Sequence, residues 1–334
     1  MKPFSKETLT RFQSLLALVA MVVALSVASD QFLTVPNLRN ILLQISVNLC
    51  LSIGMTLIIL TGGIDLSVGA ALGLAGAVAA GLLKNGLTLA FFGVQLQFTP
   101  FGAMFAGILT GLVLGGFNGI AITRFKLPPF VATLGMLSIG RGLTMLWTNG
   151  FPITALGPTF GFIGAGNLGH FSLGAGKGEI GIPMAVLISL LLVGVFHFVS
   201  LHTTLGRYIY AVGGSEKAAG FAGLNVNRIK VWVYTLGGGL AAVGGLILTA
   251  RLDAADPKAG LGYELDSIAA VVIGGTSLSG GRGSILGTVL GCLIIGVLNN
   301  GLVLLEVSPF WQQVIKGFVI LAAVALDKLG TKRD

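Results

Sequence analysis

The stretch Gly62-Gly63-Ile64-Asp65-Leu66-Ser67-Val68-Gly69 lies between two apolar runs, ILLQISVNLCLSIGMTLIIL at 41–60 and ALGLAGAVAAGLL at 71–83. A helix of about 20 apolar residues spans the roughly 30 Å hydrocarbon core of a bilayer. Two glycines and a carboxylate therefore interrupt apolar sequence of membrane-spanning length. Gly62 and Gly63 read as the end of one helix, and Asp65 as the acceptor for the free N–H groups that open the next. A second reading makes Asp65 an ion or substrate ligand, because a carboxylate in a membrane is expensive and usually functional. An echo bears on the choice. At Gly274–Gly281, 212 residues later, the chain reads GGTSLSGG, with Gly-Gly, Leu-Ser and the last Gly at matching offsets. Ser277 stands there where Asp65 stands in the first copy, and a serine carries no proton of that kind. The two copies read first as paired hinge-and-cap breaks built on Gly62, Gly63 and Ser67 and on Gly274, Gly275 and Ser279.

Composition agrees with this setting. Of 334 residues, 54% are hydrophobic and only 10% charged, against about 25% charged in a soluble domain. Gly contributes 52 residues, a surplus that suits close helix packing in a membrane. The expected fold is an all-α polytopic membrane protein of about ten transmembrane helices, some broken or short, with one further short helix at the cytoplasmic face. The segments fall near 13–33, 41–60, 66–83, 101–123, 128–148, 182–201, 232–251, 266–281, 284–305 and 310–327. They form a single membrane domain over 1–334, with its membrane segments within 13–327, an outer loop at 149–181 and an inner loop at 202–231. The run after MKPFSKETLTRF reads as a first anchoring helix, because many spans follow it.

The net charge of +8 is not gathered on one element, which argues against a nucleic-acid partner. With the N-terminus placed in the cytoplasm, thirteen basic residues fall on the inner side: Lys2, Lys6, Arg11, Arg124, Lys126, Arg207, Lys217, Arg228, Lys230, Arg282, Lys328, Lys332 and Arg333. The loop RLDAADPKAGLGYELD, assigned outside, is acid-rich. Positive-inside asymmetry thus puts both termini in the cytoplasm. The inner loop also holds a helix signal. Ser215 is an N-cap, Glu216 suits the first turn, Lys217, Ala218 and Ala219 are good helix formers, and Gly223 ends the helix. Two turns are marginal alone, so such a helix gains order by docking.

No catalytic set accompanies these features. GAGKGE at Gly174–Glu179 lacks the leading Gly and the Ser/Thr of a phosphate-binding loop. The three histidines have no metal spacing, and Cys50 and Cys292 lie within apolar runs as packing residues. Polar residues inside the spans are the remaining candidates. Gln44, Asn48, Ser52 and Thr56 recur every fourth residue on one face of the second span. They read either as interhelical hydrogen-bonding groups or as the lining of a pathway for a polar solute. Arg141, two turns inside the fifth span, either pairs with a carboxylate or carbonyls or faces a wet cavity. Lys316, near the outer end of the last span, reads as a snorkelling lysine. Gly107, Gly111, Gly115 and Gly119, and again Gly283, Gly287 and Gly291, read as smooth packing faces.

Four stretches carry a resemblance: GMTLIILTGGIDLSVGA at 54–70, TRFKLPPFVATLGM at 123–136, TTLGRYIYAVGGSEKAAGFAGLNVNRIK at 203–230 and GYELDSIAAVVIGGTSLSGGRGSILGTVLG at 262–291. In order and spacing they resemble the sugar-type permeases of bacterial binding-protein-dependent ABC importers, the ribose-type members above all. The resemblance implies a homodimer in the bacterial inner membrane, with the pathway between subunits. It implies an extracytoplasmic sugar-binding protein on one face and a cytoplasmic ATPase on the other, the ATPase and not this chain holding ATP and Mg. The loop containing Gly213, Gly214, Ser215, Glu216, Lys217, Ala218, Ala219 and Gly223 corresponds to the coupling helix that seats in the ATPase. Family members often carry Asn at the position of Ser215, and either residue caps a helix. An ion-coupled secondary transporter with Asp65 as carrier is the alternative reading.

Overall fold

The structure, a computed structural model, describes residues 6–89, 93–172 and 179–331. Lys2, Lys332, Arg333 and most of GAGKGE lie outside the described residues. The elements in chain order are α1 (Lys6–Ala28), α2 (Val35–Leu60), α3 (Val68–Asn85), β1 (Leu87–Leu89), β2 (Val94–Leu96), α4 (Pro100–Arg124) and α5 (Pro129–Thr148). Then follow β3 (Ile153–Thr154), α6 (Pro158–Ala165), β4 (Asn167–Ser172), β5 (Glu179–Pro183), α7 (Met184–His202), α8 (Thr204–Gly214) and α9 (Glu216–Phe221). The chain closes with α10 (Val226–Leu252), β6 (Ala254–Ala255), α11 (Tyr263–Ile273), α12 (Ile285–Leu304) and α13 (Pro309–Thr331).

Among the described residues, seven helices are long and apolar enough to cross a membrane: α2, α3, α4, α5, α7, α10 and α12. Shorter apolar stretches lie within α1 and α13, at Ser14–Ala28 and Pro309–Ala325. The expected eighth segment, 266–281, needs correction. Its helix, α11, stops at Ile273 after 11 residues, about 16 Å of rise, half of what a span requires. The GGTSLSGG stretch that follows is turn, not helix. The connections also hold three antiparallel strand pairs, β1 with β2, β3 with β6 and β4 with β5. They satisfy backbone groups that no helix covers.

The chain divides into two compact units, Met1–Ile64 with Leu192–Lys230 and Leu265–Asp334, and Asp65–Leu191 with Val231–Glu264. In the first unit α2 and α12 run antiparallel. Thr56 meets Thr288, Ile45 fills the gap over Gly296, and Asn37 meets Asn300. Leu25 of α1 covers Gly301 of α12, and the Ser14 hydroxyl donates to the Ile273 carbonyl at 2.9 Å.

In the second unit α3 is buried almost throughout, with α4 and α5 packed on it. Gly111 and Gly115 of α4 lie directly against Gly238 and Tyr234 of α10, so these glycines serve backbone approach. Phe160 of α6 is fully buried among Ala77, Ala80, Leu246 and Ala250. The other side of α4 exposes Phe101, Phe105, Leu109, Val113 and Phe117, one per turn. Such an apolar stripe is at home against lipid tails.

Candidate coupling face and pathway residues

The short helix expected in the inner loop is α9. Ser215 adopts extended backbone and its hydroxyl accepts from the Ala218 N–H at 3.2 Å. At the other end Gly223 takes φ +85°, while Leu224 N–H donates to Ala219 and Gly223 N–H to Gly220. That pair of bonds is a Schellman closure. Ala219 is buried, and Glu216 pairs with Lys230 at 2.7 Å. Gly214, Lys217 and Ala218 lie on the exposed surface of this unit. So does Phe221, 92% exposed at the end of the helix. Sequence reading passed over Phe221. The available signal was an aromatic residue on a helix too short to bury it.

Immediately before α9, three backbone segments meet. The Gly281 N–H donates to the Leu60 carbonyl at 3.0 Å. Leu60 ends α2, so its carbonyl has no partner within the helix, and the second glycine motif supplies one to the first. Gly213 of α8 is wedged between them. A methyl group added there would collide with the Leu60 oxygen and the Gly281 nitrogen. The Tyr210 hydroxyl, one turn earlier on α8, donates to the Gly283 carbonyl at 2.9 Å. The α8–α9 segment is thus tied to the end of α2 and to the turn preceding α12.

The paired breaks are real helix terminations, with a register that the sequence echo conceals. After α2, Gly62 N–H donates to Ile59 and Gly63 N–H to Ile58, with Gly62 at φ +77°. After α11, Gly275 N–H donates to Val272 and Thr276 N–H to Val271, with Gly275 at φ +88°. Both are Schellman closures, but Gly62 corresponds to Gly275 and not to Gly274. The helix starts differ as well. Ser67 precedes α3 with no cap from its own side chain. Asp65, 1% exposed, supplies the acceptor instead: its Oδ1 takes the Ser67 N–H at 2.7 Å and the Ser67 hydroxyl at 2.6 Å. Asn118 of α4 donates to that hydroxyl at 2.8 Å. Ser279 does not cap α12. Ser284, five residues later, accepts from the Gly287 N–H at 3.1 Å and does so, because the second copy runs on through a turn before the helix begins.

The polar stripe of α2 divides in two. Thr56 shares a 2.6 Å hydrogen bond with Thr288, and Ser52 faces the Cys292 thiol. Both are fully buried contacts between helices. Gln44 and Asn48 are partly exposed, and the Asn48 amide oxygen is a buried acceptor without a partner. Arg141 of α5 donates from Nη1 to the Ala259 carbonyl and has the Glu264 carboxylate as its charged neighbour. It thereby holds the end of the 253–262 connection. Lys316 does not snorkel: its Nζ lies 3.0 Å from Asp266 Oδ2. The partner is 50 residues away in sequence, beyond the reach of any local pattern.

Comparison with known proteins gives the family of the chain. Residues 37–324 match the family described as branched-chain amino acid transport system, permease component. The chain is 49% identical to the ribose import permease protein RbsC of Bacillus subtilis (strain 168), over 94% of this chain and 91% of that one. It is 45% identical to the ribose import permease protein RbsC of Escherichia coli (strain K12), over 97% and 95% respectively. Identity to the D-allose transport system permease protein AlsC of the same organism is 39%, over 94% and 91%. No solved structure matches the chain. The chain belongs to the branched-chain amino acid transport system permease family: it is a multi-pass membrane protein, the non-catalytic permease component of an ABC transporter.

Proposed function

We propose that this permease carries a monosaccharide, ribose, into the cell as the membrane subunit of an ATP-driven importer. In this reading it lies in the bacterial inner membrane with both termini cytoplasmic, and two copies enclose the pathway. A cytoplasmic ATPase seats on α9, and an extracytoplasmic binding protein delivers the sugar. The observation that carries the reading is the likeness, at 45–49% identity over nearly the whole chain, to ribose import permeases. The coupling face supports it physically. Six residues of helix presenting Glu216, Lys217 and Phe221 offer a compact surface for a groove. Displacing that helix bears on Gly213, and through Gly213 on Leu60 and Gly281, so the ends of two membrane elements move with the ATPase. A path that binds sugar weakly suffices, because the binding protein supplies affinity and tight binding inside would slow release.

Reconstitution tests this. Proteoliposomes containing the permease and its ATPase take up ribose only when sugar-loaded binding protein is outside and ATP inside. Uptake by the permease alone, abolished by an uncoupler, would replace this reading with the ion-coupled one. The mass of the detergent-solubilised complex decides between one copy and two.

A further inference from the structure

Helices α11, α12 and α13 bring three polar side chains together. Asp266 Oδ2 accepts from Lys316 Nζ at 3.0 Å and from Asn299 Nδ2 at 3.2 Å. Asp266 is 8% exposed, whereas the Lys316 side chain keeps 30% of its surface, so the group opens on one side. The Asn299 amide oxygen is buried without a hydrogen-bond partner. So is the hydroxyl of Ser267, the next residue on α11 and itself fully buried.

This is an unfavourable way merely to join three helices. An ion pair withdrawn from water loses the solvation of both charges, and apolar side chains of similar volume would pack there at lower cost. A buried amide oxygen left unpaired adds its own desolvation penalty. The arrangement does make sense as an incomplete site. Lys316 has two further protons to donate, and the Asn299 oxygen has lone pairs to fill. A donor and an acceptor that share one carboxylate oxygen as partner match adjacent hydroxyl groups, each of which both donates and accepts. Charge narrows the ligand further: an anion is repelled by Asp266 and a cation by Lys316, so the group suits a neutral polyhydroxylated solute.

We propose that Asp266, Asn299 and Lys316 form a transient contact for a pair of sugar hydroxyls along the path, and so help determine which sugar passes. The proposal rests on the importer reading above. Its test uses the reconstituted permease, ATPase and binding protein, with ribose and each mono-deoxy ribose supplied at concentrations that saturate the binding protein. Asn299→Leu lowers ribose uptake about tenfold, the loss of one hydrogen bond. For the mono-deoxy sugar lacking the hydroxyl that Asn299 contacts, wild type is already slow and Asn299→Leu changes nothing more; every analogue that keeps this hydroxyl still shows the full loss from Asn299→Leu. Asp266→Asn with Lys316→Gln removes both charges together, so no lone charge is left buried, and it narrows the preference for ribose over the mono-deoxy sugar lacking the neighbouring hydroxyl of the pair. Equal loss on every sugar, or wild-type uptake in both variants, overturns the proposal. Failure of the importer reading shows separately, because the wild-type system would then take up no ribose under ATP.

Discussion

Gly213→Ala is the sharpest perturbation of the coupling face. The added methyl has no free volume, because the Leu60 oxygen and the Gly281 nitrogen occupy its position. Carbon and oxygen rest comfortably at about 3.5 Å, so the backbones must separate by an ångström or more. That separation breaks the 3.0 Å bond from Gly281 to Leu60. Overpacking of this kind costs about 1–3 kcal/mol and a lost hydrogen bond about 0.5–1.5 kcal/mol, together about 1.5–4.5 kcal/mol. With about 0.7 kcal/mol/K of unfolding entropy for 334 residues, the expected fall in unfolding midpoint of the purified permease is about 2–6 °C. If α9 seats in the ATPase as proposed, ATP hydrolysis per sugar transported rises in proteoliposomes, because the link from α9 to α2 is loosened. Gly214→Ala is the internal control. No atom lies within 4 Å of a methyl group placed there, and the midpoint stays within about 1 °C. Equal midpoints for the two variants would refute the wedge, and unchanged coupling in Gly213→Ala would refute its role in transmission.

Thr56→Val strands part of the Thr288 hydroxyl and lowers the midpoint, whereas Thr56→Val with Thr288→Val recovers most of the loss, because replacing both partners of a buried bond with apolar groups is nearly neutral. Asp65→Asn retains an oxygen that accepts from Ser67, so transport stays near wild type; Asp65→Leu leaves the Ser67 N–H unpaired and costs about 1–3 kcal/mol, read as lost folded protein on gel filtration. An ionic role for Asp65 would instead abolish transport in a well-folded Asp65→Asn. Phe221→Ala weakens ATPase association by tenfold or more in co-purification, as expected for an exposed aromatic anchor, with the unfolding midpoint of the isolated permease unchanged.

What was legible in the sequence was local. Ser215 and Gly223 bracket α9 because capping chemistry is set by a few neighbouring residues, and the Gly-Gly pairs stop helices for the same reason. The register of the two breaks was not legible. Whether the first glycine sits one or two positions beyond the last helical residue depends on where the helix ends, and packing decides that. Ser279 and Ser284 both precede a helix-forming run, and only the turn between them shows which one caps α12. The contacts Lys316–Asp266, Asn37–Asn300 and Asn118–Ser67 join residues far apart in the chain, so nothing in local periodicity announces them. The stripe on α2 was visible as a stripe; that its end at Ser52 and Thr56 serves packing required the facing helix.

The pairing of α2 with α12 also sets a timetable for assembly. Asn37 and Asn300 exchange two hydrogen bonds, at 3.0 and 2.8 Å, across 263 residues of chain. At about 5–20 residues per second, α12 leaves the ribosome roughly 13–50 s after the start of α2. Throughout that interval Asn37, Ser52 and Thr56 lack the α12 groups that meet them in the folded chain, and hydrocarbon offers no replacement. The nascent α2 must be sheltered by the insertion machinery or by its own earlier neighbours until its mate arrives, which makes α12 the segment whose loss in a truncated chain leaves the first half without a stable place in the bilayer.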